Sequence, residues 1–251
     1  MMNWRTTAVL LGIVLAAPAA AELPRHLPAP GGVAVIDLGP AEPPRPEARF
    51  QGSKVMVAKQ DDHWHAVVGL PLNLSPGKYE LEVRAEDVVK QFVLAVESRE
   101  YESQYITLKN DRMVNPYEKD MERIRAERVR QDKSLETWSP VPDPATRFIL
   151  PVEAPQSSAF GLRRYFNEQP RAPHSGIDLA APEGTPILAP ARAIVLDTGD
   201  FFFNGNTVFL DHGQGLVTMY CHMSEISVEP GDVIEQGEAI GKIGSTGRVT
   251  G

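Results

Sequence analysis

The chain has 251 residues, enough for two small domains that each bury a core. Its formal net charge of −8 excludes a general nucleic-acid binder or a polybasic membrane-surface module, and its ordinary hydrophobic and charged fractions exclude a disordered chain. The single cysteine, Cys221, excludes an intrachain disulfide and a thiolate-ligated zinc module, while 22 prolines and 20 glycines predict a mostly β protein of short strands and turns.

The N-terminus comes first. Arg5, the apolar run 8–17 and Ala19-Ala20-Ala21 have the charge, apolar stretch and small-residue site of a secretory signal over residues 1–21, with Glu22 as the expected mature terminus. The run is shorter than the roughly 20 residues of a membrane span. The mature chain is therefore expected to carry no integral membrane segment and to be exported to the periplasm or cell envelope. Residues 22–31 read as a proline-rich tether.

Residues 32–97 alternate strand and turn. Tyr79, Leu81 and Val83 alternate with Glu80, Glu82 and Arg84, the period of a half-buried strand, after a Ser75-Pro76-Gly77 turn. Further strands are predicted at 33–38, 55–58, 64–70 and 92–96, a count that suits a small immunoglobulin-like β-sandwich. Residues 98–146 then form a linker with a helix over 116–137. Asn115 is its expected N-cap, Pro116 its first residue, and Glu118 stands three residues after the cap. Tyr117, Met121 and Ile124 share a face, and Pro140, Pro142 and Pro144 end the run, so the helix reads as a strut between domains. From 147 to 251 strand and turn return, with predicted strands at 187–188, 193–196, 207–210 and 216–220 and glycine turns at 211–215 and 229–232.

Chemistry concentrates in that last stretch. His174-Ser175-Gly176-Ile177-Asp178 sets an imidazole and a carboxylate four residues apart around a glycine that permits a bend, so both can converge on one ion. The spacing alone is weak, because a surface hydrogen bond explains it as well. Tyr220-Cys221-His222-Met223-Ser224 ends an apolar strand on which strict alternation puts Tyr220 and His222 on one face and an inert, buried Cys221 on the other. Phe201-Phe202-Phe203 is an apolar loop tip; Phe202, with Asn206 and Tyr220, is a candidate groove wall, and a core role for the phenylalanines stays equally open. His63-Trp64-His65 beside Asp61 also has ligand-like spacing, but the expectation there is two solvent-facing histidines around a packed Trp64. His212, in a turn, is expected to make a structural hydrogen bond.

Ser158-Ala159-Phe160-Gly161-Leu162-Arg163, His174-Ser175-Gly176-Ile177-Asp178, Gly184-Thr185-Pro186, Asn206-Thr207-Val208, Asp211-His212-Gly213, Tyr220-Cys221-His222-Met223-Ser224 and Gly244-Ser245-Thr246-Gly247 stand in order. Together they resemble the lysostaphin/LytM-type zinc endopeptidases over roughly 148–251, and the upstream sandwich is similar to the domain that precedes this peptidase in some exported members. The resemblance implies a compact antiparallel sheet with a groove over Zn(2+), peptidoglycan cross-links as substrate, His174 and Asp178 as the first two zinc ligands, and His222 as a non-ligand histidine that stabilises or protonates the reacting centre. The family completes its site with a His-x-His pair after the stretch that here reads Thr246-Gly247-Arg248-Val249-Thr250-Gly251, and no histidine follows His222. The expectation is therefore a peptidase domain truncated before its third ligand and inactive in that form. The alternative is a non-catalytic activator or scaffold for another wall hydrolase; retention of His174, Asp178 and His222 favours the enzyme. The N-terminal sandwich is a candidate surface for an envelope protein partner. A biotinyl- or lipoyl-carrier reading of the segment around Lys242 is disfavoured, since that lysine lies between apolar residues in a predicted strand.

Overall fold

The computed structural model describes residues 23–249; the expected signal at 1–21, the Glu22 terminus, and Thr250 and Gly251 lie outside it. Six strands come first: β1 (Val33–Pro40), β2 (Glu47–Phe50), β3 (Ser53–Gln60), β4 (His63–Gly69), β5 (Gly77–Ala85) and β6 (Val88–Val96). Every pairing among them is antiparallel, in the order β1-β4-β3-β2-β5-β6. Two separate sheets of an immunoglobulin-like sandwich are not formed, because β3 joins both halves. Its first residues, Ser53 to Val55, pair with β2, and Met56 to Gln60 pair with β4. The alternation is what closes the core: Ala34, Phe50, Val57, Val68, Leu81 and Leu94 come from six different strands and bury together, so the sheet curls around one apolar face.

The chain then crosses to the second half. β7 (Ser103–Ile106) runs parallel to β9 (Arg163–Phe166), which also pairs with β10 (Gln169–Pro170). The helix α1 spans Glu118–Leu135. Its start differs from the expected cap: Tyr117 holds the cap position, and its N–H donates to Oδ2 of Asp120 at 3.1 Å. Asn115 is committed elsewhere, donating to Asp111 and accepting from Arg171. The helix is fastened to the strand β13 (Ala193–Phe201) by Arg130 on Asp197 at 2.7 Å and Arg123 on Asp200 at 3.1 Å. Buried Glu127 accepts the Phe202 N–H at 2.7 Å with one oxygen and pairs Arg123 with the other. Glu127→Ala is expected to cost about 2–3 kcal/mol in urea unfolding, mostly for the orphaned buried N–H, because half-exposed Arg123 is rehydrated at little cost.

The remaining strands are β8 (Gln156–Ser158), β11 (Asp178–Leu179), β12 (Pro186–Leu188), β14 (Gly205–Asp211), β15 (Val217–Met223), β16 (Glu225–Ile226), β17 (Val233–Ile234) and β18 (Ala239–Lys242). They form small antiparallel sheets, the largest in the order β15-β14-β13-β17. One face of that sheet supplies Val195, Val208, Leu210 and Met223 to a second core, closed from β18 by Ile240. The whole is mostly β with antiparallel sheets and one α-helix among the described residues, as composition predicts. Among the described residues no helix is long and apolar enough to cross a membrane.

Several contacts join the halves, among them two that bear on the site. Buried Gln214 accepts the Val57 N–H at 2.9 Å and donates to the Val141 carbonyl at 3.0 Å. Tyr101 donates to the Pro30 carbonyl at 2.8 Å and lays its ring against Gly161, where φ is +87° and a Cβ would collide with that ring. Glycine is required there both by conformation and by this close approach.

Candidate metal centre

Gly161 leads directly to the site. Its N–H donates to the His174 carbonyl at 2.7 Å, and the His174 N–H donates to the Leu162 carbonyl at 2.9 Å, so the Phe160–Leu162 segment carries the histidine. The pairing of Ser158 with Asp178 brings the carboxylate alongside. His174 Nδ1 donates to the Ala159 carbonyl at 2.8 Å, which leaves the lone pair on Nε2 in the neutral ring. That lone pair faces Asp178 Oδ1 at 3.1 Å, with the imidazole largely buried. Two acceptors at that distance repel unless a proton or a cation lies between them. Adjacent ligand atoms of a tetrahedral zinc ion stand roughly 3.3 Å apart, given bonds of about 2.0–2.1 Å, so the pair fits two corners of such a site.

The other carboxylate oxygen is held as well. Arg164 donates to Asp178 Oδ2 at 2.9 Å, to Ser158 Oγ at 3.2 Å, and through Nε to Gln104 of β7 at 3.2 Å. Burial acts to raise the Asp178 pKa, but a protonated His174, which would set an Nε2–H and a charge on Oδ1, and then Arg164 act to hold it below its ordinary value, so the carboxylate is ionised. Sequence patterning missed Arg164 because its partners lie up to 60 residues away, and no local spacing marks it.

His222 completes the constellation by an unexpected route. Asn206 pairs with Met223 and Val208 with Tyr220, so Cys221 and His222 both oppose Thr207 in a β-bulge. His222 takes φ of +62°, donates its backbone N–H to the Asn204 carbonyl at 2.8 Å, and donates Nδ1–H to the Thr246 carbonyl at 2.8 Å. Burial lowers its pKa, and the Thr246 bond and Asp178 charge oppose that shift without cancelling it. The ring is thus neutral near pH 7 with Nε2 open as an acceptor. The bulge also corrects the expected alternation. Tyr220 packs on the second core beside Val208, its hydroxyl on Thr218 at 3.0 Å, instead of sharing a face with His222. Burial pushes the Tyr220 phenol and the Cys221 thiol each up to about 12.

The remaining candidates separate. Phe202 is 5% exposed and lies under Arg112 and Arg123 of the helical segment, which places it in the core and not on a groove wall. Asn206 is half-buried and structural in its bonds, its N–H on Thr246 Oγ1 and its amide on the Met223 carbonyl. His63 pairs with Asp37 at 2.9 Å, while His65 is only partly exposed, with Nδ1 buried and unbonded, because β4 lies between β1 and β3. Asp61 sits in the turn at φ +49°, off the strand. Among the described residues no three His, Cys, Asp or Glu gather around one metal position.

His212 is a structural histidine. Its Nδ1–H donates to the Arg192 carbonyl at 3.1 Å and Nε2 accepts from Thr218 Oγ1 at 2.8 Å. Burial, the largest influence, lowers its pKa. The folded ring therefore binds its proton more weakly than the unfolded one, so its stabilisation is intact above about pH 6.5 and is lost as pH falls below that value, at up to about 1.4 kcal/mol per unit. His222 acts in the same direction. Urea midpoints are expected to hold from pH 8 to about 6.5 and then fall, with His212→Asn reducing the slope.

Comparison with known proteins gives a consistent grouping. Residues 172–251 match Peptidase family M23, and residues 26–98 match the Peptidase family M23 N-terminal domain. The crystal structure of a putative peptidase M23 from Pseudomonas aeruginosa superposes with a TM-score of 0.76 at 41% identity, over 90% of this chain and 87% of that one. Peptidoglycan DD-endopeptidase ShyA of Vibrio cholerae is 42% identical over 96 residues, and DD-carboxypeptidase/endopeptidase Mpg of Neisseria meningitidis 43% over 95. Each match covers 38% of this chain and 22% of the relative, so the matched segment spans about a fifth of these curated relatives.

Proposed function

Because this chain belongs to peptidase family M23, we propose that the protein is a zinc-dependent endopeptidase that hydrolyses amide bonds in the peptide cross-links of peptidoglycan. The observation that carries the proposal is the pair of acceptors, His174 Nε2 and Asp178 Oδ1, set 3.1 Å apart with the other imidazole nitrogen already committed to Ala159. In this reading His174 and Asp178 are two zinc ligands. When bound, zinc polarises the scissile carbonyl and lowers the pKa of water. Arg164 keeps Asp178 ionised and aims Oδ1 at the shared position by holding Oδ2. His222 accepts a proton at Nε2, since Nδ1 is already a donor to Thr246; as imidazolium it then offers Nε2–H to the developing oxyanion or the leaving amine. The peptidoglycan substrate follows from the names of ShyA and Mpg, and export to the cell envelope from residues 1–21.

The test uses the full-length protein from its source. Bound zinc near one per chain, release of new amino groups from purified sacculi, and loss of both on chelation are expected. Zinc-loaded protein that releases none would overturn the enzymatic reading.

A further inference from the structure

Arg164 and Arg248 both act on His222 by their charge and Arg171 acts in turn on Arg248; among the described residues only one of the three guanidinium groups meets a carboxylate. Arg164 has Asp178. Arg171 donates to the Val114 and Pro170 carbonyls and to the side-chain oxygens of Asn115 and Gln169, all neutral acceptors. The Arg248 guanidinium stands over two aromatic rings, 4.7 Å from the Phe166 centroid and 4.4 Å from that of Phe203, with one long bond to the Met113 carbonyl at 3.4 Å. Among the described residues neither Arg171 nor Arg248 pairs with an acid.

This cation is costly where it stands. Burial, then the charges of Arg164 and Arg171, push the Arg248 pKa down to about 10, so the group is desolvated and faces like charge. It flanks the reacting centre directly. Thr246, two residues before it, holds His222 Nδ1, and the Arg248 N–H bonds the Phe203 carbonyl beside the Asn204 carbonyl that takes the His222 N–H. The guanidinium stacks against both rings, and among the described residues its one side-chain hydrogen bond is the long one to Met113, so most of its N–H donors have no partner there. Such a fork matches a planar carboxylate, which docks side by side through two parallel hydrogen bonds.

We propose that Arg248, supported by Arg171, forms a carboxylate-binding subsite beside the metal centre and selects peptides that carry a free carboxylate next to the scissile amide. The identity of the scissile bond rests on the peptidase reading; the affinity for a peptide carboxylate does not.

The experiment compares one cross-linked peptide dimer, with its terminal carboxylate free, against the same dimer amidated, using the zinc-loaded full-length protein. The free acid is expected to be cleaved with about 10- to 100-fold higher kcat/KM, the range of a charge-assisted hydrogen-bonded pair, and the difference is expected in KM. Arg248→Gln is expected to remove the preference by slowing the acid alone, and Arg248→Lys to restore part of it. Equal kcat/KM for acid and amide in the wild type would overturn the proposal without any variant, as would an undiminished preference in Arg248→Gln. If neither dimer is cleaved, the peptidase reading fails, and calorimetric binding of the two intact dimers decides the subsite: tighter binding of the acid, lost in Arg248→Gln, sustains it, and equal affinity sinks it.

Discussion

Replacing Asp178 with asparagine is expected to abolish stoichiometric zinc binding and to lower peptidoglycan hydrolysis by about 1,000-fold or more, while leaving the thermal midpoint of the metal-free protein almost unmoved. The two effects separate because of the site's hydrogen-bonding logic. His174 Nδ1 is tied to Ala159, so its Nε2 is an acceptor in the neutral ring. In the wild type that acceptor faces a carboxylate oxygen 3.1 Å away, a contact that needs a cation or an extra proton. Asparagine has the same shape, and its amide can turn either way. With nitrogen toward His174 it donates to Nε2, and its oxygen still accepts from Arg164, which sits 2.9 Å from Oδ2 in the wild type. Every local group is then satisfied without metal, whereas a zinc site loses an anionic ligand and meets a donor in its place. Zinc per chain by mass spectrometry, amino-group release from sacculi and a thermal melt check the three parts. Full zinc occupancy in Asp178→Asn, with hydrolysis within about tenfold of wild type, would remove Asp178 from the ligand set.

What the sequence made legible follows the range of the forces involved. β5 was readable because Tyr79, Leu81 and Val83 alternate within a nine-residue strand and the pairing with β6 is a local hairpin. β2 has only Ala48 and Phe50 to bury within four residues, too short a run for period two to stand out. β7 exists because it pairs in parallel with β9, some 60 residues further on, and nothing in Ser103 to Ile106 announces a partner at that distance. The helix was visible but its start was not, since Asn115 spends its side chain on Asp111 and Arg171 and the cap passes to Tyr117 and Asp120. At the site, His174 and Asp178 are near neighbours in the chain and could be paired on sight. The bulge at Cys221 and His222 could not, because one extra residue in a strand leaves the composition unchanged while it reverses which side chains share a face. Phe202 shows the same limit for packing: an apolar loop tip reads alike whether water or a helix covers it, and here α1 does.

Gly205→Ala is expected to produce the opposite pattern from Asp178→Asn, retaining metal and losing stability. Gly205 has φ of +62°, which costs an alanine about 1–2 kcal/mol by itself. Its missing Cβ also matters, because one built there stands 2.6 Å from the Thr246 carbonyl oxygen and closer still to the Thr246 carbonyl carbon and Oγ1. Backbone cannot move aside as a side-chain tip can, and Gly247 presses back from the other strand of the contact, with a Cβ there 2.6 Å from the Phe203 carbonyl oxygen. Thr246 must therefore retreat, and three bonds go with it: Oγ1 accepts the Asn206 N–H at 2.9 Å and donates to the Met223 carbonyl at 2.8 Å, while its carbonyl holds His222 Nδ1 at 2.8 Å. The summed cost is about 3 kcal/mol or more, which lowers the thermal midpoint of a chain this size by roughly 6–12 °C. Hydrolysis is expected to fall about 10- to 100-fold as His222 loses its anchor, with zinc content unchanged because His174 and Asp178 stand on other segments. Gly184→Ala is the control: φ there is +85° with nothing within 4 Å of a Cβ, so it carries the conformational cost alone. If the two alanine variants melt at the same temperature, the close approach of Gly205 to Thr246 has no energetic weight, and the positioning of His222 through that contact falls with it.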